Sequence, residues 1–185
     1  MLIIVDPQVD FVDGTLPLNG AKEAMSTLGR YIEEHHGEYA VKLITADSHP
    51  YDHSSFEPCG GMWVRHCVRD SIGAAIVPDV FESVFSTSGE VAVMHKGEDK
   101  NHEEYSIFQT PGAVDKIEAL IKKHQISEID ICGLAGDVCV LSTLSDAFAL
   151  FPDIKFNVLV SFSPSLDGGE KLSQYINDNP RICAR

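Results

Sequence analysis

Positive charge is scarce in this chain: 14 lysines and arginines stand against 28 aspartates and glutamates, a formal net charge of -14. Nucleic acids and anionic membrane surfaces are gripped through clustered Lys and Arg, so neither is expected as a partner. Long apolar runs are missing as well. The chain opens on MLIIVDPQVDF with no basic segment ahead of the apolar run, and no stretch is long enough to span a bilayer. The expectation is a cytoplasmic protein with no membrane contact. Cysteine is present but unpatterned: Cys59, Cys67, Cys132, Cys139 and Cys183 are odd in number and show no CxxC spacing, which argues against a disulfide framework and against a zinc ribbon. What remains is plentiful apolar content, 44% of 185 residues, enough to bury the core of one domain spanning residues 1–185.

That apolar content is distributed in two alternating patterns. Short Val/Ile-rich runs of strand length occur at 2–6, 41–47, 90–96, 128–134 and 155–161. Between the first two, Ala21, Met25, Leu28 and Ile32 recur at helical spacing and predict a crossover helix. Thr110 and Pro111 read as the N-cap and first position of another helix, with Val114, Ile117, Leu120 and Ile121 as its stripe. A third helix follows Cys139, with Val140, Leu144, Ala147 and Phe151 widened by Leu141 and Phe148. Strands alternating with helices, and no hairpin signals between them, predict an α/β fold: a doubly wound, mostly parallel sheet with helices on both faces. Two segments break the alternation, 48 to about 79 and 97–109, and long irregular loops in compact domains usually carry function.

Polar residues gather where such a sheet binds ligands. Asp6 ends the first run, Asp47 and His49 the second, Lys96 the third, and Cys139 lies just past the fourth. In an open parallel sheet the carboxyl ends of the strands share one edge. Taken singly, a turn Asp, a solvated Lys and a small buried Cys are each the simpler explanation. Jointly, an acid, a base and a thiol at one edge point to an activated nucleophile. A thiol titrates near ~8.5, and a helix N-terminus with a neighbouring cation favours its thiolate. Asp6 suits general acid/base work, Lys96 organises the charges, and the backbone N–H groups of Ala135 in the turn GLAGD and of Cys139 just after it are candidate oxyanion donors. The expected chemistry is hydrolysis of an amide or related acyl compound.

A second constellation lies in ADSHPYDHSSF and WVRHC. Asp47 and His49 share one side of an extended backbone, and His53 and His66 can fold back onto them. One Asp with two or three His suits a divalent metal, zinc first, with manganese or ferrous iron as alternatives. The remaining histidines, His35, His36, His95, His102 and His124, read as exposed or strand-end residues. Phe11 and Trp63, the single tryptophan, read either as core or as walls for a flat ring.

VDPQVDF, TADSHPYDHSSF, WVRHC, HKGEDKNHEEYSIF and GLAGDVCV stand in the order and at about the spacing of the nicotinamidase branch of the isochorismatase-like cysteine hydrolases, which the chain resembles from residue 3 to about 150. The resemblance implies an Asp6, Lys96, Cys139 triad, a metal at Asp47, His49 and His66 with His53 matching a ligand of some members, and a cis peptide at Leu134-Ala135. It further implies conversion of nicotinamide to nicotinate and ammonia through a cysteine thioester, in NAD salvage. Another carboxamide, carbamoyl or ureido substrate stays open, as does a homo-oligomer. Three departures stand out: Val64 follows the tryptophan where proline is common, Gly136 replaces a common threonine or serine, and SFSPSL follows the last run in place of an acidic-Ala segment.

Overall fold

The computed structural model describes residues 1–185. Six strands, β1 (Leu2–Val5), β2 (Val41–Asp47), β3 (Glu90–Lys96), β4 (Glu128–Gly133), β5 (Lys155–Val158) and β6 (Ile182–Ala184), form one sheet in the order β3-β2-β1-β4-β5-β6. Every pairing is parallel. The helices are α1 (Val9–Val12), α2 (Ala21–His35), α3 (Pro78–Ser86), α4 (Ala113–His124), α5 (Leu141–Leu150) and α6 (Glu170–Asp178). No helix is long and apolar enough to cross a membrane.

The alternation inside β1 shows why the sheet is covered on both sides. Leu2 and Ile4 pack into one cluster with Met25, Leu28 and Ile32 of α2 and Val80 and Val84 of α3. Ile3 and Val5 face the other way, into a cluster with Ile117 of α4, Leu144 and Ala147 of α5 and Ile176 of α6. A strand buried on both faces has no polar side to show, and all four residues of β1 are buried.

Several sequence expectations need correcting. The helix after Gln109 starts at Ala113, not at Pro111, behind Gly112 at φ 77°. Thr110 is not its cap, because its hydroxyl donates to Glu104 Oε2 at 2.7 Å. The loop after β2 ends about where expected, at Pro78, but there an unanticipated helix, α3, begins with proline in its first turn. The fifth run stops at Val158 and passes into a 3-10 turn at Val160–Phe162. The sixth strand, only three residues long and paired to Phe156, Asn157 and Val158, has no apolar run to announce it.

Candidate active site

Strand order reverses at β1, which lies between β2 and β4. The crevice beyond that point is where an open α/β sheet receives ligands. Asp6 leaves β1 in a left-handed turn, φ 45°, with Oδ1 accepting the Thr45 hydroxyl at 2.7 Å and its N–H donating to Thr45 O. Lys96, the last residue of β3, is fully buried and reaches across: Nζ lies 2.9 Å from Asp6 Oδ2, 2.5 Å from Asp47 Oδ1 and 3.6 Å from Cys139 Sγ. Burial works against its ammonium, but Asp47 and Asp6 outweigh burial and hold it charged. Asp47 illustrates the reverse balance, burial being overcome by Lys96 and then His49, which keep its carboxyl well below the usual range. Asp6 is pushed up to about 6 by burial, with Lys96 pulling against it and Asp47 adding to it.

Cys139 corrects one expectation. It lies in a π-helical turn, Gly136–Val140, just ahead of α5, close to Lys96 as anticipated. Its thiol is nevertheless raised well above the ordinary value. Burial dominates, and Lys96 does not offset it against the carboxylates of Asp6 and Asp47. Burial thus favours the thiol over the thiolate at this sulfur. The Leu134-Ala135 peptide is cis, and the Ala135 N–H has no acceptor in the backbone. Ala135 and Cys139 share the wall of one cleft.

Gly136 gains a physical reason. A Cβ there would stand 2.3 Å from Ser163 O and 2.3 Å from Ser165 Oγ, because SFSPSL folds directly over the nucleophile turn. Gly136 N–H donates to Pro164 O at 2.8 Å, and the Asp137 carboxylate accepts the N–H groups of Leu166 and Asp167. Leu166 thereby becomes a wall of the cleft. Gly136→Ala should lower stability by about 1–3 kcal/mol through overpacking and displace residues 163–166. An unchanged urea midpoint would show that this segment yields freely.

The second constellation sits beside the first. Ligand atoms of Asp47, His49 and His66 lie within 4.8 Å of one another, all three residues buried. His49 Nδ1 donates to Gly97 O at 3.0 Å and His66 Nδ1 to Val64 O at 2.8 Å, which leaves Nε2 as the ring atom open to a cation in each. His49 Nε2 is buried without a hydrogen-bond partner, and burial lowers His66 toward its neutral form. Burial works against a charged His49, but Asp47 outweighs it and raises its value, so a cation bound there would displace a proton from that ring. Two imidazoles and a carboxylate held ionised are a donor set that fits a divalent cation. His53 stands apart from it. Its Nε2 donates to His102 O at 3.2 Å and its Nδ1 accepts from the Ser55 hydroxyl at 2.7 Å, so its ring packs on His49 at 4.4 Å with both nitrogens engaged away from the cluster.

Phe11 and Trp63 both line the cleft, beside His66 at ring distances of 5.4 Å and 6.4 Å. Residues that sequence reasoning missed complete it. Tyr105 accepts the Trp63 indole N–H at 3.1 Å, and Glu103 lines the same wall with a buried, unpartnered Oε2. Gln8 grips the Asp47 peptide from both sides, Nε2 to Asp47 O and Oε1 from Asp47 N, each at 2.8 Å. Gln8 stands two residues after Asp6 and could have been read as its companion. Glu103 and Tyr105 lie in a loop with no periodicity to orient them.

The isochorismatase domain family matches residues 1–150. The nicotinamidase of Escherichia coli is 30% identical over 176 residues, covering 85% of this chain and 79% of its own. The nicotinamidase/pyrazinamidase of Mycobacterium tuberculosis is 32% identical over 154 residues, covering 79% and 77%. Among solved structures, the pyrazinamidase of Pyrococcus horikoshii in complex with zinc superposes with a TM-score of 0.83 at 26% identity, over 100% of this chain and 97% of that one. With an acid, a lysine and a cysteine converging at the carboxyl edge of an all-parallel sheet, the chain belongs to the isochorismatase family, in the branch that holds the nicotinamidases.

Proposed function

We propose that the protein hydrolyses nicotinamide to nicotinate and ammonia, with Cys139 as nucleophile. The observation that carries this reading is the sharing of one cleft by Cys139, an aromatic pair suited to a flat ring, and the Asp47 and His66 edge of a cation-binding cluster. Phe11 and Trp63 receive the ring, and the carboxamide is presented to Cys139.

Asp6 takes the thiol proton as Sγ bonds to the carboxamide carbon, and the oxygen of the tetrahedral intermediate is received by the N–H groups of Ala135 and Cys139. As the C–N bond breaks, Asp6 returns the proton to the leaving nitrogen, which departs as ammonia and leaves a thioester. Asp6 then accepts a proton from the water that attacks the thioester. Collapse releases nicotinate, and the proton returns to Cys139. Lys96 stays charged throughout, holding Asp6 and Asp47 at fixed positions beside the sulfur. Asp47, His49 and His66 would hold a divalent cation, which supplies a Lewis acid for the ring nitrogen. His53 supports the ring of His49 from outside this set.

The deciding measurement is release of nicotinate and ammonia from nicotinamide by the purified, zinc-supplemented protein, with pyrazinamide in parallel. Equal amounts of acid and ammonia are expected. A protein that alkylates at Cys139 yet turns over neither amide would retain the nucleophile and refute the substrate, directing assays to carbamoyl and ureido compounds.

A further inference from the structure

The segment joining β3 to α4 enters the cation-binding cluster with its first residue. Gly97 O accepts the Nδ1–H of His49 at 3.0 Å. An imidazole that ligates through Nε2 must keep its proton on Nδ1, and the acceptor of that proton sets both tautomer and ring angle. Contact between the two is unusually close. A Cβ on Gly97, which lies at φ 68°, would stand 2.4 Å from His49 Cε1. The backbone of Gly97 and the ring are packed directly against each other, so a shift of one moves the other.

What holds the backbone at Gly97 is a buried carboxylate. Glu104 Oε2 accepts the Gly97 N–H at 2.9 Å and the Thr110 hydroxyl at 2.7 Å. Glu104 is only 5% exposed, and no ammonium or guanidinium pairs with it. Burying a carboxylate without a cation is costly unless its hydrogen bonds are made. Here one oxygen ties both ends of the 97–110 segment together, at the point where that segment touches His49.

The geometry points to Glu104 as a positioning residue for His49, acting through the backbone on the two sides of Gly97 Cα to fix the ligand's tautomer and direction. This inference rests on the reading of Asp47, His49 and His66 as a metal site. Groups that orient a metal-ligating histidine typically contribute about 10–100-fold to metal affinity, so the effect should be seen in binding before any turnover is measured.

The test is zinc affinity by competition with a chromophoric chelator, together with the visible spectrum of the cobalt(II)-loaded protein, for the wild type, Glu104→Ala and Glu104→Gln. Glu104→Ala should bind zinc about 10–100-fold more weakly and show an altered cobalt spectrum. Glu104→Gln should restore both, because its amide oxygen can accept from the same N–H and hydroxyl. A role confined to stability would move the urea midpoint of the metal-free protein and leave the cobalt spectrum of the folded protein as it was. Should Glu104→Ala fail to fold, Thr110→Val removes one of the two donors and should shift zinc affinity the same way, by less. Zinc affinity and cobalt spectrum unchanged in the folded variants would overturn the role of Glu104. A wild type that binds neither zinc nor cobalt would instead remove the metal reading on which it stands.

Discussion

Cys139→Ala should lower amide turnover by about 10⁴-fold or more while zinc content and urea midpoint stay close to those of the wild type. A loss of that size equals about 5.5 kcal/mol of transition-state stabilisation. It reflects the absence of any substitute nucleophile: Cys132 and Cys67 are buried in the apolar cluster on one face of the sheet, and Cys59 and Cys183 are exposed. The substitution removes one sulfur from a site whose carboxylates and lysine remain paired to each other, so the fold has little reason to respond. Rapid mixing of wild type with nicotinamide followed by intact-protein mass measurement should show a transient acyl adduct, absent from the variant. Full activity in Cys139→Ala would end the nucleophile assignment.

Lys96→Met should be the most destabilising single change in the site, by about 3–5 kcal/mol. Lys96 is the one cation between two buried carboxylates, at 2.9 Å from Asp6 and 2.5 Å from Asp47. Methionine keeps most of the stem volume and strips the charge, leaving Asp6 and Asp47 to face each other. A domain with about 5–15 kcal/mol in total feels such a loss in its urea midpoint. The pH dependence has a definite sign. A buried carboxylate without its cation holds its proton above the unfolded value near ~3.9. The folded variant therefore keeps its stability below that pH, where both states are protonated, and loses it as pH rises through the raised folded values. Wild type and variant should lie closest in acid and diverge toward neutrality. A constant gap from pH 4 to pH 8 would show that the lysine acts through packing alone.

Both predictions concern residues legible in the sequence, and the reason is topological. Once the runs ending at Asp6, Asp47 and Lys96 are read as parallel strands, their ends must share an edge, and a cysteine following the fourth run joins them. Distances were not needed. The same logic fails where a residue reaches the site from irregular backbone. His53 has the spacing of a ligand, but hydrogen bonds to Ser55 and His102 O engage both its nitrogens elsewhere. Glu104 looks like one acidic residue among 28, and only its partners, Gly97 and Thr110, give it a task. Thr110 itself was misread as a cap because the cap pattern is local, whereas its hydroxyl answers to a carboxylate six residues earlier. The thiolate expected at Cys139 is opposed for a related reason. Lys96 and a helix start can be inferred from order along the chain, while full burial and the second carboxylate, which push the thiol the other way, depend on packing.

The place of β1 between β2 and β4 has a further consequence, for how the site comes into being. Leu2 is in register with Lys42 on one side and with Asp130 on the other, so the cleft closes only when segments more than a hundred residues apart have met. Long-range parallel pairing of this kind is slow compared with local helix formation. Asp6 cannot acquire its lysine, nor Cys139 its carboxylate, in any half-assembled chain. Catalytic competence should therefore arrive as an all-or-none property of the completed sheet, which makes recovered activity during renaturation a direct clock for the docking of β4 against β1.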